Sequence, residues 1–175
     1  MKKLYFAIMT IAAVGSPALA DELATPTAPQ TTLGADGIGV LPVGDYGRVA
    51  KLGIGALGRI ERAAGPGFAA GRIGVIFHAI NEVDAQLTLV PLYAGYRFPV
   101  GSGGGYVAGE LGLTLIFGTA DTAFGRMSVS DTKLGFTLGG GVRRGALDVR
   151  AGLFAPDVDN AVGLMASAGY DFAAF

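Results

Sequence analysis

The chain has 175 residues, 51% hydrophobic and 15% charged, with a formal net charge of -1 and neither Cys nor Trp. This composition excludes a disordered chain, which needs low hydrophobicity and high charge, and offers no basic surface to nucleic acid. Without Cys there are no disulfide staples, thiolate metal sites, Cys nucleophile or lipid anchor on an N-terminal Cys.

Lys2 and Lys3 precede an apolar run from Leu4 to Val14, and Ala18-Leu19-Ala20 places small residues at a cleavage point before Asp21 and Glu22. The pattern predicts a secretory signal peptide over 1–20. The apolar run is shorter than the about 20 residues of a spanning helix. Residues 21–35, rich in Thr, Pro and Ala, are expected to form a flexible periplasmic leader. Residues 36–175 remain as one folded domain.

That remainder alternates with period two, the strand signal. A first, less regular strand is expected over about 36–46, where Ile38, Val40 and Val43 lie among glycines and Pro42 suits an edge or bulge. Over 48–61, Leu52, Ile54, Ala56 and Ile60 oppose Lys51, Arg59 and Glu61. Over 68–80, Ile73, Val75 and Phe77 oppose Arg72, Ile76 and His78. Over 86–98, Val90, Leu92, Ala94, Tyr96 and Phe98 oppose Arg97. Over 106–117, Val107, Leu111, Leu113, Leu115 and Phe117 oppose Glu110, Gly112 and Thr114. Over 129–143, Leu134, Phe136, Leu138 and Val142 oppose Asp131, Lys133, Thr137 and Arg143. Over 147–154, Leu147, Val149 and Leu153 oppose Asp148 and Arg150. Over 161–172, Val162, Leu164, Tyr170 and Phe172 oppose Met165, Ser167 and Asp171.

Within these last seven runs every charge beyond the opening Arg48 lies on one face, and that face is interleaved with Gly. The interior of an eight-stranded barrel is only just wide enough for side chains, so long Arg side chains inside need small neighbours. A solvated outer face would have no use for so many strand glycines. Lipid tolerates only helices and closed barrels as spanning structures. The expected fold is therefore all-β: an eight-stranded antiparallel up-and-down transmembrane β-barrel behind a cleavable N-terminal signal peptide. Both barrel ends would lie in the periplasm, with periplasmic turns at 63–67, 99–105 and 143–146. The longest connection, 118–128, would be extracellular.

The strand Leu89-Val90-Pro91-Leu92-Tyr93-Ala94-Gly95-Tyr96-Arg97-Phe98, the Gly-rich turn after it, Tyr106-Val107-x-Gly109-Glu110-x-Gly112 and the aromatic C-terminal strand resemble the OmpA/OmpX-like superfamily of small outer-membrane barrels. The resemblance spans about 36–175. It implies an integral protein of a Gram-negative outer membrane, in contact with outer-membrane lipid and lipopolysaccharide and monomeric. It also implies delivery by the barrel-insertion machinery, which reads a terminal aromatic residue. Phe172 and Phe175 both qualify, on opposite parities.

The inward charges Arg59, Glu61, Arg72, Arg97, Glu110, Arg143, Asp148, Arg150 and Asp171 fall towards the periplasmic half, five basic against four acidic. Buried charges must be paired and hydrogen-bonded, so these predict a self-neutralising network in a largely closed lumen. Lys51, His78, Asp131 and Lys133 lie higher. The expected role is structural or surface interaction, with Asp121, Phe124 and Arg126 as the extracellular candidates. The alternative is a narrow pore for small solutes or ions, although no ring of one charge sign appears. A lipid-modifying enzyme is third. Lipid-A deacylases of this architecture use a His-x-Ser pair, and the sole His stands in His78-Ala79-Ile80. A soluble periplasmic ligand-binding barrel is the remaining class. One His and dispersed carboxylates offer no metal constellation, no cofactor is expected, and Gly103-Gly104-Gly105 lacks the Lys-Ser/Thr of a phosphate loop. Tyr46, Tyr93, Tyr96, Tyr106, Tyr170, Phe98 and Phe172 are candidates for an interfacial aromatic girdle.

Overall fold

Alternate residues of a strand point to opposite faces. A sheet that keeps this period and pairs every strand with the next therefore has two chemically distinct sides. The computed structural model describes residues 31–80, 85–122 and 125–175, which form one closed antiparallel barrel. Its elements are β1 (Thr31–Val43), α1 (Gly44–Val49), β2 (Ala50–Ala64), β3 (Gly67–Ile80), β4 (Ala85–Val100), β5 (Gly105–Thr122), β6 (Gly125–Arg144), β7 (Leu147–Asp157) and β8 (Ala161–Ala174). Each strand pairs with its successor, and β8 closes on β1.

The turns after β2, β4 and β6 lie at one end, together with Thr31 and Phe175. Gly65 and Gly145, with φ of 56° and 59°, make two of them. A Cβ resists that left-handed conformation, and it suits the twist of a tight hairpin.

Three sequence expectations shift. First, β1 begins at Thr31, inside the segment expected to be a leader. Thr31 is the partner of Arg62, and Ala35 lies between Gly58 and Tyr170, so ladders on both sides hold a stretch with little strand character of its own. The signal peptide at 1–20 and the leader as far as residue 30 lie outside the described residues. Second, the expected first strand stops at Val43, and Gly44–Val49 is a short helix. Its Asp45 and Arg48 pair at 3.1 Å in the first and last turns, where each sign complements the helix dipole, and Tyr46 turns into the barrel mouth. Third, 118–128 is largely not a loop. β5 and β6 stay in register from Gly105–Val142 up to Thr122–Gly125, so the segment is a hairpin rising above the rest.

The outer face is apolar. Ile54, Ile73, Leu92, Leu111, Leu113 and Leu138 are each about half exposed or more. Such a continuous apolar belt on a closed sheet is solvated by hydrocarbon, not water. The chain is thus a transmembrane β-barrel. On β6 the belt ends where outward Leu134, Phe136 and Leu138 give way to Ser128, Ser130 and Thr132. Arg62 and Arg144, just beyond the alternating runs, point outward and are exposed at the turn end.

The inside has two storeys. Towards the loop end, Ile38, Val40, Leu57, Ile76, Leu89, Phe154 and Met165 pack as an apolar plug. Towards the turn end the interior is charged. Tyr46, Tyr93 and Tyr106 are buried, which removes them from the expected girdle. Tyr93 and Tyr106 sit on the inward parity of β4 and β5, where Thr114 and Asp148 partner their hydroxyls at 2.6 Å. Tyr96, Phe98, Tyr170 and Phe172 do face outward, all at least a third exposed.

Interior glycines make room for the charged side chains. A Cβ on Gly95 would stand 2.6 Å from the Glu110 Cα and 2.8 Å from its Cγ. The crowding atoms include backbone, which cannot swing aside. Gly95→Ala is expected to destabilise the barrel by about 1–3 kcal/mol, as overpacking does. The check is the urea midpoint of unfolding from detergent or vesicles.

Candidate functional site

Alternation along seven strands delivers all nine anticipated charges to the interior: Arg59 and Glu61 from β2, Arg72 from β3, Arg97 from β4, Glu110 from β5, Arg143 from β6, Asp148 and Arg150 from β7, and Asp171 from β8. With Asp36 of β1 they form one continuous ion-pair network. Near the turns, Arg97 reaches Glu61 at 2.8 Å and Asp148 at 2.5 Å. Arg143 reaches Glu61 at 2.7 Å, Asp148 at 3.1 Å and Asp171 at 3.4 Å. The Arg97 guanidinium also lies 3.8 Å over the Tyr106 ring, a cation–π contact. Above this layer, Arg150 donates to Glu110 at 2.7 Å and to the Thr137 hydroxyl at 2.8 Å, and that hydroxyl donates to Glu110 at 2.8 Å. Arg72 stands 3.2 Å from Glu110.

Sequence reasoning missed Asp36, the hinge between the layers. It accepts from Arg59 at 2.7 Å and lies 3.5 Å from Arg72, while Arg59 also donates to Asp171 at 2.5 Å. Asp36 raises the count to five carboxylates against five guanidinia, so the network is formally neutral. One signal pointed to it: the five-to-four imbalance of the anticipated set.

Arg72 is the loosest member. Its Nε and one terminal nitrogen have charge partners but no well-directed hydrogen bond. Beside it lies a cavity of about 10 Å³ between the charged and apolar storeys, bounded by Tyr93, Glu110, Thr137 and Phe154. That is about the space of a single water. Above and below it, Arg150, Glu61, Phe154, Ile76 and Leu89 are fully buried.

His78 belongs to the plug. Its Nδ1 lies 2.9 Å from the Lys51 carbonyl, which can only accept, so Nδ1 carries the proton; Nε2 then accepts from the Tyr46 hydroxyl at 2.9 Å. Both ring nitrogens are thereby committed. Lys51 is exposed at the mouth. Asp131 and Lys133 pair at 3.0 Å near the upper edge of the belt, half-exposed. The Asp131 carboxylate also accepts from the Thr132 backbone N–H at 2.7 Å. Among the described residues no group of His, Asp and Glu is placed to hold a metal ion.

Of the extracellular candidates, Asp121 and Arg126 are Cα partners at the tip of the β5–β6 hairpin, and Phe124 lies outside the described residues. Beneath that tip, the hairpin side that overhangs the barrel mouth is apolar. Met127 and Val129, 63% and 68% exposed, line a recess of about 470 Å³ with Val49 and Ile80.

A closed eight-stranded barrel with an apolar belt, a neutralised charged interior and its longest hairpin at the end away from the tight turns is the architecture of the small outer-membrane barrels. Solved structures agree. The chain superposes on Ail, the attachment invasion locus protein of Yersinia pestis, with a TM-score of 0.63, at 18% identity over 83% of this chain and 100% of Ail. It matches the N-terminal β-barrel domain of Pseudomonas aeruginosa OprF with a TM-score of 0.62, at 14% identity over 82% of this chain and 99% of that domain. It matches neisserial surface protein A with a TM-score of 0.58, at 15% identity over 81% of this chain and 97% of that protein. No protein-family model and no curated protein sequence matches.

Proposed function

We propose that the protein is an integral outer-membrane barrel whose role is structural or surface-interacting, and that its interior network serves to close and hold the barrel. The observation that carries this reading is the filled interior: a neutral ion-pair layer beneath an apolar plug, with a water-sized cavity between them. Residues 1–20 then act as a cleaved export signal, the turns face the periplasm and the β5–β6 hairpin faces outward. Outer-leaflet lipopolysaccharide surrounds the upper belt. The chain works as a monomer, and His78, whose two ring nitrogens are held by the Lys51 carbonyl and the Tyr46 hydroxyl, serves packing rather than catalysis.

Insertion would be read from the C-terminal strand. A bulge between Leu33 and Gly34 of β1 opposes Ala173 and Asp171 of β8, leaving Phe172 as the extra residue. Phe175 then exchanges backbone hydrogen bonds with Thr31 at 2.7 and 2.9 Å. That bulge restores Phe175 to the outward parity, so Phe172 and Phe175 both face outward, 62% and 73% exposed.

The surface role is assigned to the overhanging apolar side of the β5–β6 hairpin, where Met127 and Val129 stand exposed above the belt. Conductance of the refolded chain in a planar bilayer tests the closed interior. No discrete steps are expected from a barrel that migrates as folded on a gel. Reproducible steps would establish the narrow-pore reading in its place.

A further inference from the structure

We propose that the outer face of β2–β4 binds one glycerophospholipid of the inner leaflet, its phosphate on Arg62 and one acyl chain in the trough above. The inference rests on the membrane placement just argued and goes beyond it, because most of the belt needs only bulk lipid. Here the surface is shaped. Gly58, Gly71 and Ala94 carry little or no side chain on the outward side of three adjacent strands. The rows between them are walled by Ile60, Ile73 and Leu92. The result is an apolar trough of about 500 Å³ that Phe172 borders at its β8 side, within the about 300–1,000 Å³ of ligand sites.

Charge completes the fit. Arg62 lies one outward position below Ile60, roughly 7 Å along the strand, with Ala69 and then Tyr96 beside it in register. The Tyr96 hydroxyl donates to the Ala64 carbonyl at 2.6 Å, which fixes the ring at the rim. Among the described residues the Arg62 guanidinium has no hydrogen-bond or ion-pair partner, although every interior Arg has an acid partner. A planar guanidinium at headgroup depth matches a phosphate bidentately, and the trough begins where the acyl chain would leave it. Arg144 is the natural control. It is also outward at the turn end, but the outward residues above it, Val142, Gly140 and Leu138, form no part of the trough.

Native mass spectrometry of the full-length mature chain, refolded in detergent with phosphatidylglycerol carrying 16-carbon chains, tests this directly. Wild type is expected to retain one phospholipid. Arg62→Ala is expected to weaken retention about tenfold, equivalent to about 1.4 kcal/mol. Gly58→Val should fill the trough without a clash, because a Cβ there meets nothing nearer than 3.7 Å, and should weaken retention comparably. Arg144→Ala should bind as wild type does. Equal retention by all four proteins, an equal loss for Arg144→Ala, displacement of the phospholipid by lipopolysaccharide, or a dimer in place of a lipid adduct would each overturn the proposal. Heat-dependent gel mobility reports separately whether each variant folds as a barrel, so failure of the lipid site and failure of the membrane placement give different results.

Discussion

Glu110→Ala is expected to lower the unfolding free energy of the barrel by about 3–5 kcal/mol, the cost of breaking a buried ion pair by removing one partner. Glu110 is 5% exposed and is the acid that Arg150 shares with Arg72. Its loss leaves Arg150 with the Thr137 hydroxyl and the Ala108 carbonyl, and leaves Arg72 with Asp36 alone at 3.5 Å. Two guanidinia would then lie in a low-dielectric layer, compensated by no more than the few waters that the vacated side-chain volume holds. Arg72→Ala should cost less than Glu110→Ala, because two of the three Arg72 guanidinium nitrogens make no well-directed hydrogen bond. Lys51→Ala removes an exposed ammonium and keeps the backbone carbonyl that His78 uses, so its effect should stay within about 0.5 kcal/mol. Urea unfolding from vesicles, read by gel mobility, ranks the three. Equal or negligible shifts for Glu110 and Lys51 would show that the network does not hold the barrel.

The nine inward charges were legible in the sequence because strand parity is a strong local constraint: a slip of one residue would carry Arg97 or Arg150 into the lipid. Asp36 was harder to see because its own strand is written weakly. Around it Gly34, Gly37 and Gly39 blur the alternation, and Thr31 to Ala35 become strand only through ladders to β2 and β8, which no local pattern encodes. Hairpin pairing of a different kind, between neighbours in sequence, keeps β5 and β6 zipped up to Thr122 and Gly125, where composition alone suggests a loop. The interior tyrosines show the converse failure. An aromatic residue suits both a headgroup rim and a packed interior, so composition placed Tyr93 and Tyr106 at the rim, whereas parity puts them inside. The upper plug was half visible. Ile76 and Met165 stood on the charged face throughout, as the apolar members of a set whose polar members pair lower down.

Leu113→Arg is expected to destabilise the barrel by about 2–4 kcal/mol, the cost of an Arg on the lipid face near the bilayer midplane. Leu113 is 48% exposed on β5, flanked in register by Leu92 and Leu134, so a guanidinium there would have no polar neighbour on either adjacent strand. Its long stem could reach water only by running along the belt towards a rim. Leu147→Arg is the matched comparison. Leu147 is 61% exposed on the same outer face, but lies at the turn end with Arg144 and Tyr170 as its register partners. There the headgroups are within reach and the cost should fall to about 0–1 kcal/mol. In a water-soluble barrel both positions would be solvated and neither substitution would register. A one-residue register slip in β5 would turn residue 113 inward and set its Arg against Tyr93 of β4, where the penalty would arise from overpacking and persist in detergent as strongly as in vesicles. A depth-dependent penalty that grows with bilayer thickness therefore separates lipid exposure from both alternatives.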